Sequence, residues 1–335
     1  MTGTEFKNEL KSLSGVYLFY GSEAYLKRHY LEQVRKTVLT DEGLSVFNHI
    51  KLSGADALAG LYNAVRTLPV MADRKLIEVH SLPYANLKAE ELKGLCETLR
   101  EANGPENVII LYASDEELPL PQPKKPGAVF KALTDCAKPV EFSKQTPAKL
   151  AVWVHKHFES EGVSADGPVC LMLCEFCACQ MSTLASENKK LCEYLKQNGR
   201  SVVTKEDVQK VCCRIEEIAA FDFANAILQG NRDRALMILR DMEYKKQKPQ
   251  TVLANIASVY GDLYRIKTLA DCGKNKKEIA AALKIHEYRV GLYLGALRGR
   301  NAAGLSDRIK ACCEADLKIK STPLAKFDLL AGLIV

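Results

Sequence analysis

Apolar residues follow two different periodicities along the first 145 positions. Short β-branched and aromatic runs bounded by glycine or polar residues predict buried strands, and apolar residues three or four apart predict amphipathic helices. Their alternation is typical of a mostly parallel sheet covered by helices. The predicted strands are 16–20, 46–52, 75–80, 107–113 and 138–142. The predicted helices are one that opens at 21–23, with Ser22 as N-cap and apolar positions up to Val38, and those over 55–68 and 89–102.

The pattern changes after Pro147, where strand signals nearly vanish and amphipathic helices continue to the end of the chain. We predict an α/β domain over 1–146, a small helical domain over 147–213 and a second helical domain over 214–335. Prolines in 118–127 predict a loop. The predicted helices are 149–161, 168–181, 183–197, 205–213, 221–229, 232–246, 249–272, 276–283, 287–297, 304–319 and 323–334.

Composition is that of a folded protein. The chain has 335 residues, 47% of them hydrophobic and 26% charged, which excludes general disorder. The sequence has no apolar run of the ~18–20 residues that a membrane span needs, and its start lacks the apolar core of a signal peptide, so we expect a soluble cytoplasmic protein.

Charge is unevenly placed. Residues 231–335 carry 20 Lys and Arg against 11 Asp and Glu, whereas the whole chain has a net charge of +6. A basic final third indicates a polyanion or an acidic partner, and solvated helix faces are the alternative interpretation.

Twelve cysteines raise the question of a metal site. Cys170, Cys174 and Cys177 step by four and three residues among apolar neighbours, which is the core stripe of a helix. Zinc sites usually pair two Cys knuckles across a polar or glycine-bearing loop. We therefore expect these thiols to pack as small hydrophobic groups and to bind no metal.

A strand followed by Gly21 and a helix has the layout of a phosphate-binding loop, G-x-x-x-x-G-K-S/T. Lys27 falls at the lysine of this motif. However, Leu26 replaces the second glycine, and Arg28 replaces the hydroxyl residue that would bind magnesium. The third strand also lacks a terminal acidic pair. The motif is degenerate, so we predict no nucleotide hydrolysis and a solvated Lys27.

Other catalytic patterns are missing from the sequence. His80, His155, His157 and His286 have no partners at metal-ligand spacing, and there is no G-x-S-x-G nucleophile motif. We expect neither a catalytic residue nor a cofactor.

Four segments resemble those of a known protein family, and they follow one another in the same order and at similar spacing along the chain. They are VYLFYGSEAYL at 16–26, TLPVMADRKLIEV at 67–79, SENKKL at 186–191 and EADLKIKS at 314–321. The chain resembles the delta subunits of the bacterial DNA polymerase III clamp loader. It departs from the family at Val70-Met71, where two bulky aromatic residues are common, and in the order of Glu187-Asn188.

The resemblance implies an AAA+-like α/β domain without a functional phosphate loop, a lid-like helical domain and a helical collar for oligomerisation. Members of this family bind the sliding clamp, hold its ring open and help to load it on primed DNA. They hydrolyse no ATP themselves. The motor (gamma/tau) and delta-prime subunits are the implied partners, within a DNA polymerase holoenzyme and with no membrane.

The resemblance also implies a clamp contact at Leu68, Pro69, Val70 and Met71. Proline disfavours a helical conformation at the preceding residue, so these residues should form an extended or turned junction before the third strand. Apolar residues at an exposed junction commonly fill a partner's pocket. In the alternative interpretation, Val70 and Met71 cap the core of their own domain.

Two other classes of function stay open. A delta-prime or motor subunit would carry a zinc module in the first domain, where this chain has only Cys96 and Cys136, and a motor would need an intact phosphate loop. A Rossmann-like small-molecule enzyme would need G-x-G-x-x-G after the first strand, which the sequence lacks.

Overall fold

The computed structural model describes residues 1–54, 56–121, 126–213 and 216–334, without the side chains of 216 and 217. The chain divides into two compact units, Met1–Gln145 and Thr146–Val335. Residues 122–125 of the predicted proline-rich loop and Arg214, at the predicted second boundary, lie outside the described residues. A division of the second unit at 213/214 stays a prediction.

The first unit contains a five-stranded parallel sheet in the order β2-β3-β4-β1-β5. Central strands of such a sheet are apolar on both faces, which explains the continuous hydrophobic runs in the sequence. The strands are β1 Gly15–Tyr20, β2 His49–Ser53, β3 Lys75–His80, β4 Asn107–Tyr112 and β5 Lys138–Glu141.

Helices cover both faces of this sheet. One core layer packs the odd-numbered β1 residues Tyr17 and Phe19 against the first two helices, and the other packs Val16 and Leu18 against later helices. The helices of this unit are α1 Gly3–Glu9, α2 Ala24–Val38, α3 Glu42–Asn48, α4 Ala57–Arg66, α5 Ala89–Glu101 and α6 Ala128–Thr134.

The second predicted strand is wrong over its first three residues. Residues 46–48 belong to α3, whose first amides at Gly43 and Leu44 donate to the Asp41 carboxylate. Val46 and Phe47 are apolar but exposed, so they imitate the composition of a strand. The strand begins only at His49, and the helix α1 has no counterpart among the predicted elements.

A buried ion network lies on β3. Glu78 is 0% exposed and accepts from the Nε and Nη2 atoms of Arg35 at 2.6 and 2.7 Å. Its two oxygens also lie 2.6 Å from His49 Nε2 and 2.9 Å from His80 Nε2. These partners hold the pKa of Glu78 far below its usual range despite burial. The carboxylate joins β2, β3 and α2 through side chains.

The second unit is all helical. Helices α7–α10 pack together as a small bundle, and the long α13 is central to the core of the remaining helices, where it contacts α11, α15 and α16. The helices are α7 Pro147–Ser160, α8 Gly167–Phe176, α9 Met181–Gln197, α10 Lys205–Val211, α11 Glu216–Leu228, α12 Arg232–Tyr244, α13 Pro249–Asp271, α14 Lys276–Leu283, α15 Glu287–Ala296, α16 Ala302–Ser321 and α17 Lys326–Ala331.

The helix predicted over 168–181 ends early. It stops at Phe176, and Ala178 and Cys179 adopt positive φ angles of 48° and 57° that a helix does not allow. Among the described residues, no helix is long and apolar enough to cross a membrane.

We predict that Glu78→Gln lowers the free energy of unfolding by about 2–4 kcal/mol at pH 7. Removing one partner of a buried ion pair typically costs ~3–5 kcal/mol, and the Arg35 side chain, which is 25% exposed, recovers part of this in water. Chemical denaturation measures the change. Glu101→Gln, which breaks the exposed pair with Arg66, should change stability by less than about 1 kcal/mol.

The loss of stability caused by Glu78→Gln should also depend on pH. Because the folded state depresses the pKa of Glu78, its stabilisation is complete above the ordinary value of 4.5 and is lost as pH falls below it. The stability gap between wild type and Glu78→Gln should therefore narrow from pH 6 to pH 3. A gap that stays constant over this interval would contradict the assignment.

Candidate functional site

The loop after β1 is closed by the chain's own backbone. Gly21 has a φ of 107°, and a Cβ at this position would lie 2.6 Å from the carbonyl oxygen of Phe142. The amide of Glu23 donates to the same carbonyl at 2.8 Å. Glu23 also caps α2, since its carboxylate accepts from the Tyr25 amide. The prediction of Ser22 as the cap was wrong by one residue.

Lys27 is buried rather than solvated, so that prediction was wrong. Its side chain is 3% exposed, its Nζ donates to the carbonyl oxygen of Ala113 at 2.7 Å, and it lies 5.2 Å from the centre of the Tyr112 ring. Ala113 follows β4 at the carboxyl edge of the sheet. The lysine that would contact phosphate in a functional loop is therefore already hydrogen-bonded to a main-chain carbonyl oxygen.

Acidic groups surround this lysine. Burial lowers the pKa of Lys27, and the carboxylates of Asp115, Glu117 and Glu23 act in the opposite direction. Three carboxylates beside one ammonium would repel a polyphosphate. Arg28 is exposed to solvent, and Leu26 packs against the core layer on its side of the sheet. The geometry of this loop favours a structural use of Lys27 over nucleotide binding.

At the opposite, amino-terminal edge of the sheet, residues 68–71 form an apolar tip. Leu68 is 79% exposed, Met71 87% and Val70 44%, and Pro69 is partly buried. Helix α4 ends at Arg66, before the proline. Because the side chains of the tip are largely in water, they contribute little packing to the core of their own unit.

Two buried polar side chains hold the backbone of the tip. Asn48, at the end of α3, accepts from the Val70 amide at 2.7 Å and donates to the Val70 carbonyl at 2.9 Å. Lys75 begins β3 and donates to the carbonyl oxygens of Ala64, at 2.5 Å, and Thr67. Sequence reasoning assigned neither residue to the site, because an Asn inside a predicted strand and a Lys beginning a strand give no local signal.

Helix α3 contributes further apolar surface near the tip. Val46 and Phe47 directly precede Asn48 and are 79% and 61% exposed. A groove of about 430 Å³ between the end of α2, α3 and residues 71–74 has a mostly polar lining that includes Asp41 and Arg74, so the added apolar surface comes from Val46 and Phe47. The exposed apolar surface at this edge is therefore larger than the tip alone.

The cysteine cluster of the second unit is buried. Burial raises the pKa of Cys174, Cys177 and Cys179 to about 12 and that of Cys170 to about 11, so these side chains are protonated thiols at neutral pH. The described residues contain no group of three or more His, Cys, Asp or Glu arranged to hold a metal ion.

A parallel sheet with a closed phosphate-type loop, followed by helical bundles, is the plan of an AAA+-like protein with a degenerate loop. Family models of the DNA polymerase III delta subunit match this chain over residues 17–143, and over 217–335 for the C-terminal domain. The chain belongs to the DNA polymerase III delta subunit family, whose members are clamp-loader components.

Curated relatives and a solved structure agree with this family. The DNA polymerase III subunit delta of Bacillus subtilis is 26% identical over 293 residues, covering 84% of this chain and 81% of that protein. A probable DNA polymerase III subunit delta of Aquifex aeolicus is 20% identical over 268 residues, covering 78% and 73%. The structure of the Bacillus subtilis DNA clamp loader delta protein has a TM-score of 0.80 at 24% identity, over 99% of this chain and 98% of that one. The predicted α/β plus all-α fold is confirmed.

We predict that Lys27→Met lowers the free energy of unfolding by about 1–3 kcal/mol, because the Ala113 carbonyl loses its donor inside the protein. Thermal and chemical unfolding measure the loss. Lys36→Met, an exposed residue of the same helix, is the matched control and should be nearly neutral.

Neither wild type nor Lys27→Met should bind ATP in a calorimetric titration. Micromolar binding by the wild type that disappears in Lys27→Met would show that the loop is a nucleotide site.

Proposed function

We propose that this chain is a non-catalytic subunit of the clamp loader that binds the sliding clamp, holds its ring open and helps to load it on primed DNA. The exposed apolar tip at residues 68–71 carries this proposal. Family membership supplies the class of complex, and the tip supplies a surface suited to a partner's apolar pocket.

The closed loop supports the absence of intrinsic ATP hydrolysis. The Glu23 amide is bonded to Phe142 and Lys27 to Ala113, so two groups that would bind phosphate have internal acceptors. In this proposal the gamma/tau motor subunits supply ATP-driven motion within the polymerase holoenzyme. The protein acts in the cytoplasm, where DNA replication takes place in bacteria.

Residues 214–335 are the proposed collar, which joins the motor and delta-prime subunits. Its basic balance of 20 Lys and Arg against 11 Asp and Glu from residue 231 onward supports a contribution to DNA attraction in the assembled loader. Residues 147–213 are the proposed lid-like domain.

Leu68, Pro69, Val70 and Met71 are the proposed clamp contact. Met71 is the most exposed of them, and its flexible side chain is able to adapt to the shape of an apolar pocket. Complete burial of two such side chains is worth about 1.5–3 kcal/mol each by apolar area.

We predict that Val70→Ala combined with Met71→Ala weakens clamp binding at least about thirtyfold, since each factor of ten corresponds to about 1.4 kcal/mol. Melting should change little because both side chains are exposed, and Met71→Phe should retain or strengthen binding. Surface plasmon resonance against the organism's own clamp measures the affinity.

The matched control combines Val152→Ala with Met237→Ala, two exposed residues of the second unit, and should leave clamp affinity unchanged. A large drop in melting temperature with unaltered clamp affinity would place Val70 and Met71 in the core and the clamp contact elsewhere.

A fragment of residues 1–145 should bind the clamp but fail to join the motor subunits. This range is a compact unit with its own two core layers and contains the whole tip. Size-exclusion chromatography with the clamp, and separately with the motor subunits, provides the readout. A fragment that assembles with the motor subunits as the full chain does would contradict the proposed division of roles.

A further inference from the structure

The backbone of the tip is fixed by polar contacts and not by packing of its own side chains. Asn48 is 2% exposed and Lys75 is 1% exposed, whereas Leu68 and Met71 are 79% and 87% exposed. A segment with so few buried apolar contacts is ordinarily mobile. The bonds from Asn48 and Lys75 replace the apolar contacts that the tip lacks.

Met71 adopts a conformation that needs such support. Its φ of 49° lies in the left-handed region, which is unfavourable for any residue that has a Cβ atom. Conformations of this kind persist when their surroundings over-determine them, and they cluster at binding sites. The preceding residue, Val70, has both its amide and its carbonyl bonded to Asn48.

Lys75 fixes the other end of the same segment. Its ammonium donates to two carbonyls at the end of α4, those of Ala64 and Thr67, and to the Thr67 hydroxyl at 3.0 Å. Unpaired carbonyls at a helix end need such donors. The segment from Thr67 to Val70 is therefore hydrogen-bonded at one end to Lys75 and at the other to Asn48, two buried side chains from β3 and α3.

We infer that Asn48 and Lys75 are positioning residues that keep the tip in its binding conformation before the sliding clamp arrives. This inference rests on the proposed function of residues 68–71. A preformed tip loses less conformational entropy on binding than a mobile one, so its affinity is higher for the same contacts.

Asn48 is the more diagnostic of the two residues. An asparagine amide offers one acceptor and one donor group on a short stem, which matches the amide and carbonyl of a single residue. Lys75 contacts Ala64 and Thr67 at the end of α4, whereas Asn48 contacts Val70 within the tip itself. Asn48 also donates to the Leu44 carbonyl of α3 at 3.2 Å, so the test compares variants that are first shown to be folded. The test therefore uses Asn48 in the full-length chain.

Asn48→Ala should weaken binding to the sliding clamp by about tenfold, and Asn48→Ser, whose hydroxyl cannot reach both backbone groups at once, by a smaller factor. Asn63→Ala changes an exposed asparagine of α4 and is the matched control, with no change in affinity expected. Isothermal titration calorimetry should show that the loss in Asn48→Ala is mainly a more unfavourable entropy of binding.

A double-mutant cycle separates positioning from a general structural role. In the background of Val70→Ala with Met71→Ala, adding Asn48→Ala should weaken clamp binding less than about twofold, because the tip no longer carries the affinity. A general loss of structure would reduce affinity by the same factor in both backgrounds. If circular dichroism shows that Asn48→Ala is unfolded, the same cycle with Asn48→Ser distinguishes positioning from a general structural role.

Two contrary results have different meanings. If the tip variants weaken binding but folded Asn48→Ala and Asn48→Ser bind the clamp as the wild type does, the positioning role is wrong and the proposed clamp contact stands. If changes at Val70 and Met71 leave clamp binding unaltered, the proposed contact is wrong, and the positioning role is wrong with it.

Discussion

An ammonium group removed from water must donate to acceptors inside the protein, and two buried lysines impose this requirement at opposite edges of one sheet. Lys27 donates to the Ala113 carbonyl at the carboxyl edge, and Lys75 donates to the carbonyls of Ala64 and Thr67 at the amino edge. The first contact engages the lysine of a loop that has the layout of a phosphate site. The second fixes the start of the exposed tip. Both features follow from pairing a side-chain cation with main-chain oxygens.

The sheet between these edges supplies the rigidity that both features need. Its central strands are buried on both faces, and the Glu78 carboxylate links them to α2 through Arg35 and to β2 through His49. A charge in this layer is costly unless it is fully paired, and here it has three partners. The same scaffold that carries nucleotide chemistry in AAA+ proteins thus presents a partner-binding tip, according to the function proposed here.

Whether a secondary-structure element could be predicted from the sequence depended on where its apolar residues lie in the fold. Apolar runs in β1, β3 and β4 identified those strands almost to the residue, because burial on both faces leaves a continuous signal. At Val46 and Phe47 the same criterion gave a wrong strand prediction, because apolar residues on an exposed helix have the composition of a strand. The degenerate loop was evident from Leu26 and Arg28.

Burial of a long polar side chain leaves no comparable signal. Lys27 was predicted to be solvated, and Asn48 and Lys75 had no predicted role, because their partners are main-chain carbonyls and amides up to 86 residues away in the chain. Such contacts depend on the folded arrangement of strands and not on local pattern. The residues of the tip were predicted through resemblance, and the sequence left open whether Val70 and Met71 are exposed or cap the core of their own domain.

The most direct measurement of the central claim is hydrogen–deuterium exchange of the full chain with and without the sliding clamp. The account predicts that clamp binding protects the backbone amides of Leu68, of residues 70–72 and of α3, and leaves those of residues 21–28 unchanged. Protection confined to other segments, with exchange of the tip unaltered, would contradict it.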